Sequence, residues 1–299
     1  MLKSLKYYLA ALGAIASVMV FTSYDDTPGK MATETRTFII PQVDMDKDYS
    51  FAGERIPIEN FDVKERLEQE LIINSYRHST TILNIKNSVR YFPVIEKILK
   101  ESGIPEDFKY AAVAESDFRN GTSGAGARGV WQLMQSTAKD HGLEVGEEVD
   151  ERLNLEKATL VACQHLKHYY ERFGNWTLAA AAYNMGAHGL DKEVENQHFR
   201  NYYDLNLSDE TNRYIFRIAA IKEVLENPED YGFDIPQGQR YPPLDKYTIV
   251  TVDTSIANLG DFAKQSGVSY RMLKIYNPWL RNWKLTNTRG KKYDIKIPK

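Results

Sequence analysis

Apolar residues return at helical spacing along most of the chain. Val63, Leu67 and Leu71 stand at i, i+4 and i+8 and predict a helix over 61–76; Phe92, Ile95 and Leu99 share a face and predict another over 89–101, with Gly103 just beyond it. Pro105 at a first helical position, followed by Glu106 and Asp107, predicts a third helix ending at Glu115. In it Phe108, Ala112 and Glu115 fall at i, i+4 and i+7, so the carboxylate extends an apolar stripe while Lys109 faces water. The segment Asn120 to Gly129, NGTSGAGARG, is too rich in Gly for regular structure, and helical spacing resumes over 130–140. A long helix over 151–173 carries Ala158, Val161, Ala162, His165 and Tyr169 on one side and ends at Gly174; Trp176 to Tyr183 forms the next and stops at Asn184-Met185-Gly186. After a polar connection, Glu210 and Thr211 open a helix with Tyr214, Ile218, Ile221 and Leu225 on one face, stopped by Asn227-Pro228. From Tyr247 the period changes: TIVTV and YDIKIP read as strands enclosing two short helices, 256–266 and 269–276.

This pattern predicts a mainly α body over residues 60–232, a Pro-rich linker over 233–246 and a β-α-α-β unit over 247–299, small enough to favour binding over catalysis. Residues 24–59 are polar and without a period, a tether or an arm wrapping the next domain. Residues 1–23 combine Lys3 and Lys6 with an uncharged apolar run from Tyr7 to Phe21, the layout of a secretory signal. The run is shorter than the ~20 residues of a spanning helix, yet no A-x-A site precedes Tyr24, so a retained anchor and membrane association through the N-terminus stay open. Either way the expectation is export to the periplasm or cell envelope. No cysteine stands at the end of the run, which rejects anchoring through a lipid on an N-terminal cysteine.

With 42% hydrophobic and 26% charged residues the chain can bury a sizeable core. A net charge of −3 gives no reason to expect nucleic acid as a partner. The single Cys163 excludes an intrachain disulfide and any multi-cysteine metal site; among apolar helix residues it reads as a buried thiol. His165 and His168 lie at i, i+3, but no carboxylate at ligand spacing completes a set, so no metal or cofactor is expected.

Glu115 stands out chemically. Burial and the negative end of a helix both disfavour the ionised carboxylate, which suits a general acid; a surface Glu at a frayed helix end fits the local pattern equally. Four stretches, however, occur in order: Glu115-Ser116 followed by Phe118; GARGVWQLM over 126–134; Ala182-Tyr-Asn-Met-Gly186; and Glu210-Thr211 followed by Tyr214. Together they resemble the lytic transglycosylase family with the goose-type lysozyme-like fold, most closely its membrane-bound D branch, over roughly residues 90–225. The resemblance implies that Glu115 is the catalytic acid/base, that Ser116, Gln132, Tyr183, Asn184, Glu210 and Tyr214 belong to the sugar cleft or orient it, and that Met134 packs beside the reacting ring. Plain core packing is the alternative for Trp131, Met134 and Tyr183.

The implied substrate is peptidoglycan, and the implied reaction is non-hydrolytic cleavage between N-acetylmuramic acid and N-acetylglucosamine. Ordinary glycosidases need two carboxylates. Here Asp117, two residues from Glu115, would point about 160° away on a helix. A single-carboxylate mechanism fits the shortage: Glu115 protonates the glycosidic oxygen, the substrate's N-acetyl group stabilises the cationic centre, and the muramic C6 hydroxyl closes a 1,6-anhydro ring. A hydrolytic muramidase of the same fold and a non-catalytic wall-binding protein are the alternatives. The last unit resembles a LysM module through AKQSGVS, IYNPWL and IKIP, but has Val252-Asp253-Thr254-Ser255 where a Gly-Asp-Thr-Leu turn is expected. Tyr276, Asn277 and Trp279 are its candidate glycan platform.

Overall fold

The computed structural model describes residues 43–299; the expected signal or anchor, and the tether up to residue 42, lie outside the described residues. The fold is mainly α, with a small β-α-α-β unit at its C-terminal end. In chain order the body contains a hairpin, β1 (Ser50–Phe51) and β2 (Glu54–Arg55), then α1 (Phe61–Tyr76), α2 (His78–Ser102), α3 (Phe108–Ser116), α4 (Gln135–Asp140), α5 (Leu155–Phe173), α6 (Trp176–Met185), α7 (Ala187–Gln197) and α8 (Asp209–Glu226). The terminal unit contains β3 (Tyr247–Val252), α9 (Leu259–Gln265), α10 (Tyr270–Tyr276) and β4 (Tyr293–Pro298).

Side-chain caps fix several helix starts. Asn60, Asn154 and Asn175 accept from backbone N–H groups in the first turns of α1, α5 and α6, and Ser208 does so for α8. The carboxylate of Glu54, carried by the hairpin, accepts from the N–H groups of Trp176 and Thr177 at 2.5 and 3.0 Å, placing negative charge at the positive end of α6. Met45, Tyr49, Phe51 and Ile56 are buried in the body's core, so residues 43–59 pack on it. α8 is the central helix: it contacts α1, α3 and α6, and nearly every residue from Tyr214 to Ile221 is buried.

Five local expectations need correction. α2 begins eleven residues before the predicted 89 and contains Pro93. Its first half buries Thr81 and Asn84 beside Ile85, so it has no apolar period to read. α3 starts at Phe108, after a tight turn in which Phe108 N–H donates to the Pro105 carbonyl at 3.1 Å. Lys109 does not face water: it is buried and paired with Glu96 and Glu106 at 2.8 and 2.6 Å. Residues 130–134 are not helical, because Arg128 and Leu133 exchange backbone hydrogen bonds across a turn; the polar connection before Glu210 instead holds α7, which buries only Leu190 and so lacks a sequence stripe.

In the terminal unit β3 and β4 pair antiparallel, with Tyr247 opposite Pro298 and Val252 opposite Tyr293. Its core of Leu259, Leu273, Trp279, Leu280, Leu285, Ile295 and Ile297 is continuous with Val149 and Leu153 of the body. Backbone bonds join the two at Asp150 N–H to the Trp279 carbonyl (2.9 Å) and Arg281 N–H to the Glu148 carbonyl (2.7 Å). Among the described residues no helix is long and apolar enough to cross a membrane.

Candidate active site

α3 delivers Glu115 at its last turn. The chain then leaves through Asp117 and Phe118, both in the left-handed region at φ 50° and 59°. Two such non-glycine residues in series are costly and persist only where packing fixes them; Phe118 is buried and stacks on Tyr91 with ring centres 4.9 Å apart. The sharp exit leaves the Glu115 carboxyl half-buried, with one Oε1 accepting from the Tyr214 hydroxyl at 2.6 Å. Desolvation pushes its pKa up to about 7; the Tyr214 hydrogen bond pulls down, the charge of Glu210 pushes up and Arg217 pulls down. Near neutral pH such a group can both give and take a proton. Burial also holds the Tyr183 and Tyr214 hydroxyls well above the usual phenol value, so they remain donors.

The Gly-rich segment forms one wall of the site. Ser116 Oγ donates to the Val130 carbonyl at 2.9 Å, and Tyr183 Oη to the Trp131 carbonyl at 2.7 Å, tying this segment to α3 and α6. The Ser116 hydroxyl thus spends its proton on the backbone and positions the loop. Gln132 has φ 45°, and its Nε2 donates to the carbonyls of Gly129 (2.9 Å) and Gly121 (3.4 Å). Met134 is 43% exposed, too open for core packing, whereas Trp131 is fully buried with its Nε1 donating to Thr159 at 2.8 Å. Asn184 ends α6 with Oδ1 accepting from Thr211 Oγ1 at 2.8 Å. Glu115, Tyr214 and Tyr183 are thus brought together by three helices, with Gln132 and Asn184 adjoining in sequence the two residues that the Tyr183 hydrogen bond joins.

The remaining carboxylates are engaged elsewhere. Asp117 accepts from Asn84 and Arg119 at 2.9 Å each, and Glu210, which is exposed, accepts from Arg217 at 2.8 Å. Sequence reasoning missed the clamp beneath the loop. Asp150 and Arg152 are buried together; Arg152 Nη1 donates to the carbonyls of Gly126 (2.9 Å) and Leu133 (3.2 Å), and Arg128 reaches Asp150 at 3.1 Å. Gly129 must be Gly: at φ 82° an added Cβ would lie 2.2 Å from the Arg152 carbonyl oxygen. Charged residues in a hydrophilic stretch carry no sequence sign of such burial; the Gly spacing was the only visible hint.

Other candidates are not brought here. His165 bonds Tyr169 Oη at 3.0 Å and lies 4.6 Å from the His141 ring, and among the described residues no group of three or more His, Cys, Asp or Glu could hold a metal ion. In the terminal unit, Asn277 is fully buried, donating to the Leu273 and Lys296 carbonyls and accepting from Lys296 N–H. Trp279 is buried and stacked on Tyr293, while half-buried Tyr276 lines a cavity of about 170 Å³ between body and unit. These three do not form an outward sugar platform. Asn277 closes the sheet and Trp279 fills the core.

Comparison with known proteins matches two stretches of the chain. Residues 93–206 match the family described as "Transglycosylase SLT domain", and residues 248–299 the "Soluble lytic transglycosylase C-terminal LysM-like domain". The chain thus combines a transglycosylase SLT domain with a C-terminal LysM-like domain. Among named relatives it is similar to membrane-bound lytic murein transglycosylase D of Escherichia coli strains K12 and O6:H1, at 26% identity over 272 residues covering 88% of this chain. It spans 57% of the length of those relatives. Solved structures with partial likeness are an inactive mutant of the lytic transglycosylase Slt from Pseudomonas aeruginosa (19% identity, TM-score 0.39, 50% of this chain and 26% of that one) and the 70 kDa soluble lytic transglycosylase of Escherichia coli (21%, 0.40, 50% and 27%).

Proposed function

We propose that this protein is a peptidoglycan lytic transglycosylase, acting in the cell envelope, that cleaves the β-1,4 bond between N-acetylmuramic acid and N-acetylglucosamine and leaves 1,6-anhydromuramic ends. The observation that carries the reading is a lone half-buried carboxyl, Glu115, whose pKa lies at about 7 and whose neighbouring carboxylates are held by other partners. In the first step Glu115 gives its proton to the glycosidic oxygen as the C1–O bond breaks, and the substrate's N-acetyl oxygen stabilises the cationic carbon. In the second, ionised Glu115 accepts the proton of the muramic C6 hydroxyl while that oxygen bonds to C1. The proton count returns to its start, so one residue suffices as acid and then base.

Tyr214 donates to Glu115, helping to stabilise the carboxylate between the two steps, and Met134 offers an apolar surface for the sugar ring. The tethered C6 hydroxyl has a high effective molarity, which favours ring closure over attack by water. Mass spectrometry of digested peptidoglycan tests the reading. Anhydromuramic ends support it; reducing ends replace it with a hydrolytic muramidase, and no new ends replace it with a wall-binding protein.

A further inference from the structure

We infer that the terminal unit braces the active-site loop, and that Asp150 is the positioning residue through which the brace acts. This rests on the reading above of Glu115 as the acid and base of glycan cleavage. The segment 144–153 is gripped from two sides. On one side is the terminal unit: Val149 forms an antiparallel bridge with Leu280, the side chains of Val149 and Leu153 belong to the unit's core, and the Glu148 carboxylate accepts from Thr286 N–H and Oγ1 at 2.6 and 3.1 Å. On the other side is the loop 126–134, whose Gly126 and Leu133 carbonyls accept from Arg152 Nη1 at 2.9 and 3.2 Å. Asp150 belongs to both. Its N–H donates to the Trp279 carbonyl at 2.9 Å, while its carboxylate accepts from Arg152 Nε and Nη2 at 2.9 Å each and from Arg128 Nη1 at 3.1 Å.

The junction is stiff. Asp150 is 1% exposed and Arg152 5%, and Gly129 sits so close to the Arg152 carbonyl that the space between them admits no side chain. Close-packed, ion-paired groups move together, so a shift of the bridge on the unit's side displaces the loop as well. The loop carries Gln132 and Met134, and its Val130 carbonyl accepts from Ser116, the neighbour of Glu115 in the chain. Body and terminal unit form one compact unit. The linker between them is pinned to α2, with Tyr241 N–H donating to the Lys86 carbonyl at 3.0 Å and Arg90 Nε to the Pro242 carbonyl at 3.0 Å. Misplacing a reacting constellation by about 1 Å can cost about a hundredfold in rate, so a partial loosening of the brace corresponds to a loss of about tenfold.

The test loosens the bridge on the unit's side and reads the loop. In the full chain, Val149→Ala and Glu148→Ala leave every residue of the loop and of the Glu115 site unchanged, and the second covers the case in which the first unfolds. Each should lower kcat on soluble, uncrosslinked peptidoglycan strands about tenfold at unchanged KM, at a temperature where circular dichroism shows the fold intact. Glu148→Gln, which still offers an oxygen to Thr286 N–H, should keep most of the rate. Without substrate, hydrogen–deuterium exchange read by mass spectrometry should speed up over 126–134 in both alanine variants and stay unchanged in α1. Unchanged kcat overturns the inference by making the unit independent of the site, and a rise in KM alone overturns it by making the unit a holder of substrate. Unchanged exchange over 126–134 in both variants also overturns it. If the unaltered chain cleaves no glycan, the cleavage reading fails by itself, and the exchange experiment still decides whether the unit braces the loop.

Discussion

Glu115 and Asn277 are both polar residues in apolar surroundings, and both belong to short motifs that point to sugar recognition. The fold treats them in opposite ways. Asn277 makes three hydrogen bonds, at 2.7–2.9 Å, to backbone groups of Leu273 and Lys296 and is sealed from solvent. Glu115 keeps one hydrogen bond, to Tyr214, and is only half-buried. The difference shows what separates a structural polar residue from a chemical one: not its type or motif, but whether its bonding capacity is already filled by the protein.

The sharpest way to break this contrast is Glu115→Gln. It should lower the rate of glycan cleavage by about 10²–10⁴-fold with the far-ultraviolet circular dichroism unchanged; a variant keeping near-normal turnover would remove Glu115 from its proposed part. On the closed side the expected effect is on stability. Trp279→Ala should cost about 3–5 kcal/mol in urea denaturation, because the ring fills the core shared with Val149 and Leu153. Asn277→Ala should cost about 1–3 kcal/mol, because it removes the side-chain partner of both the Lys296 N–H and the Lys296 carbonyl. Reduced binding of insoluble wall by Asn277→Ala with no loss of stability would restore it as a sugar contact.

The smallest effects are in pH dependence. The acid step needs protonated Glu115, so activity falls as pH rises through about 7. Tyr214→Phe removes a donor that favours the ionised form, so this limb should move to higher pH; a shift downward would contradict the assigned hydrogen bond. The folded carboxyl is raised from 4.5 to about 7, so its contribution to stability is full below about 4.5 and is lost as pH rises through about 7. Glu115→Gln lacks that loss, and its melting temperature should exceed that of the unaltered protein above pH 7 in calorimetry.

α1, α5, α6 and α8 could be read from the sequence because each buries an apolar stripe and begins at a side-chain cap or a turn. α7 and the first half of α2 could not, since their buried positions are few or polar. The same limit applied to the site. Glu115, Gln132, Asn184 and Tyr214 were visible as motif residues, whereas Asp150 and Arg152, which hold the loop from below, looked like ordinary surface charges. Asn277 and Trp279 carried the right chemistry for sugar contact, but backbone bonds and burial place them in structural work.

By itself, then, the sequence determined the helical body, the β-α-α-β unit and the motif residues of the site, because periodicity, caps and Gly-rich breaks are local properties of the chain. Only the tertiary structure decided which polar groups stay free, since that depends on partners far away in sequence: Tyr214 for Glu115, Thr211 for Asn184, Lys296 for Asn277. It also decided the raised pKa of Glu115, because desolvation is a property of the surroundings that packing creates.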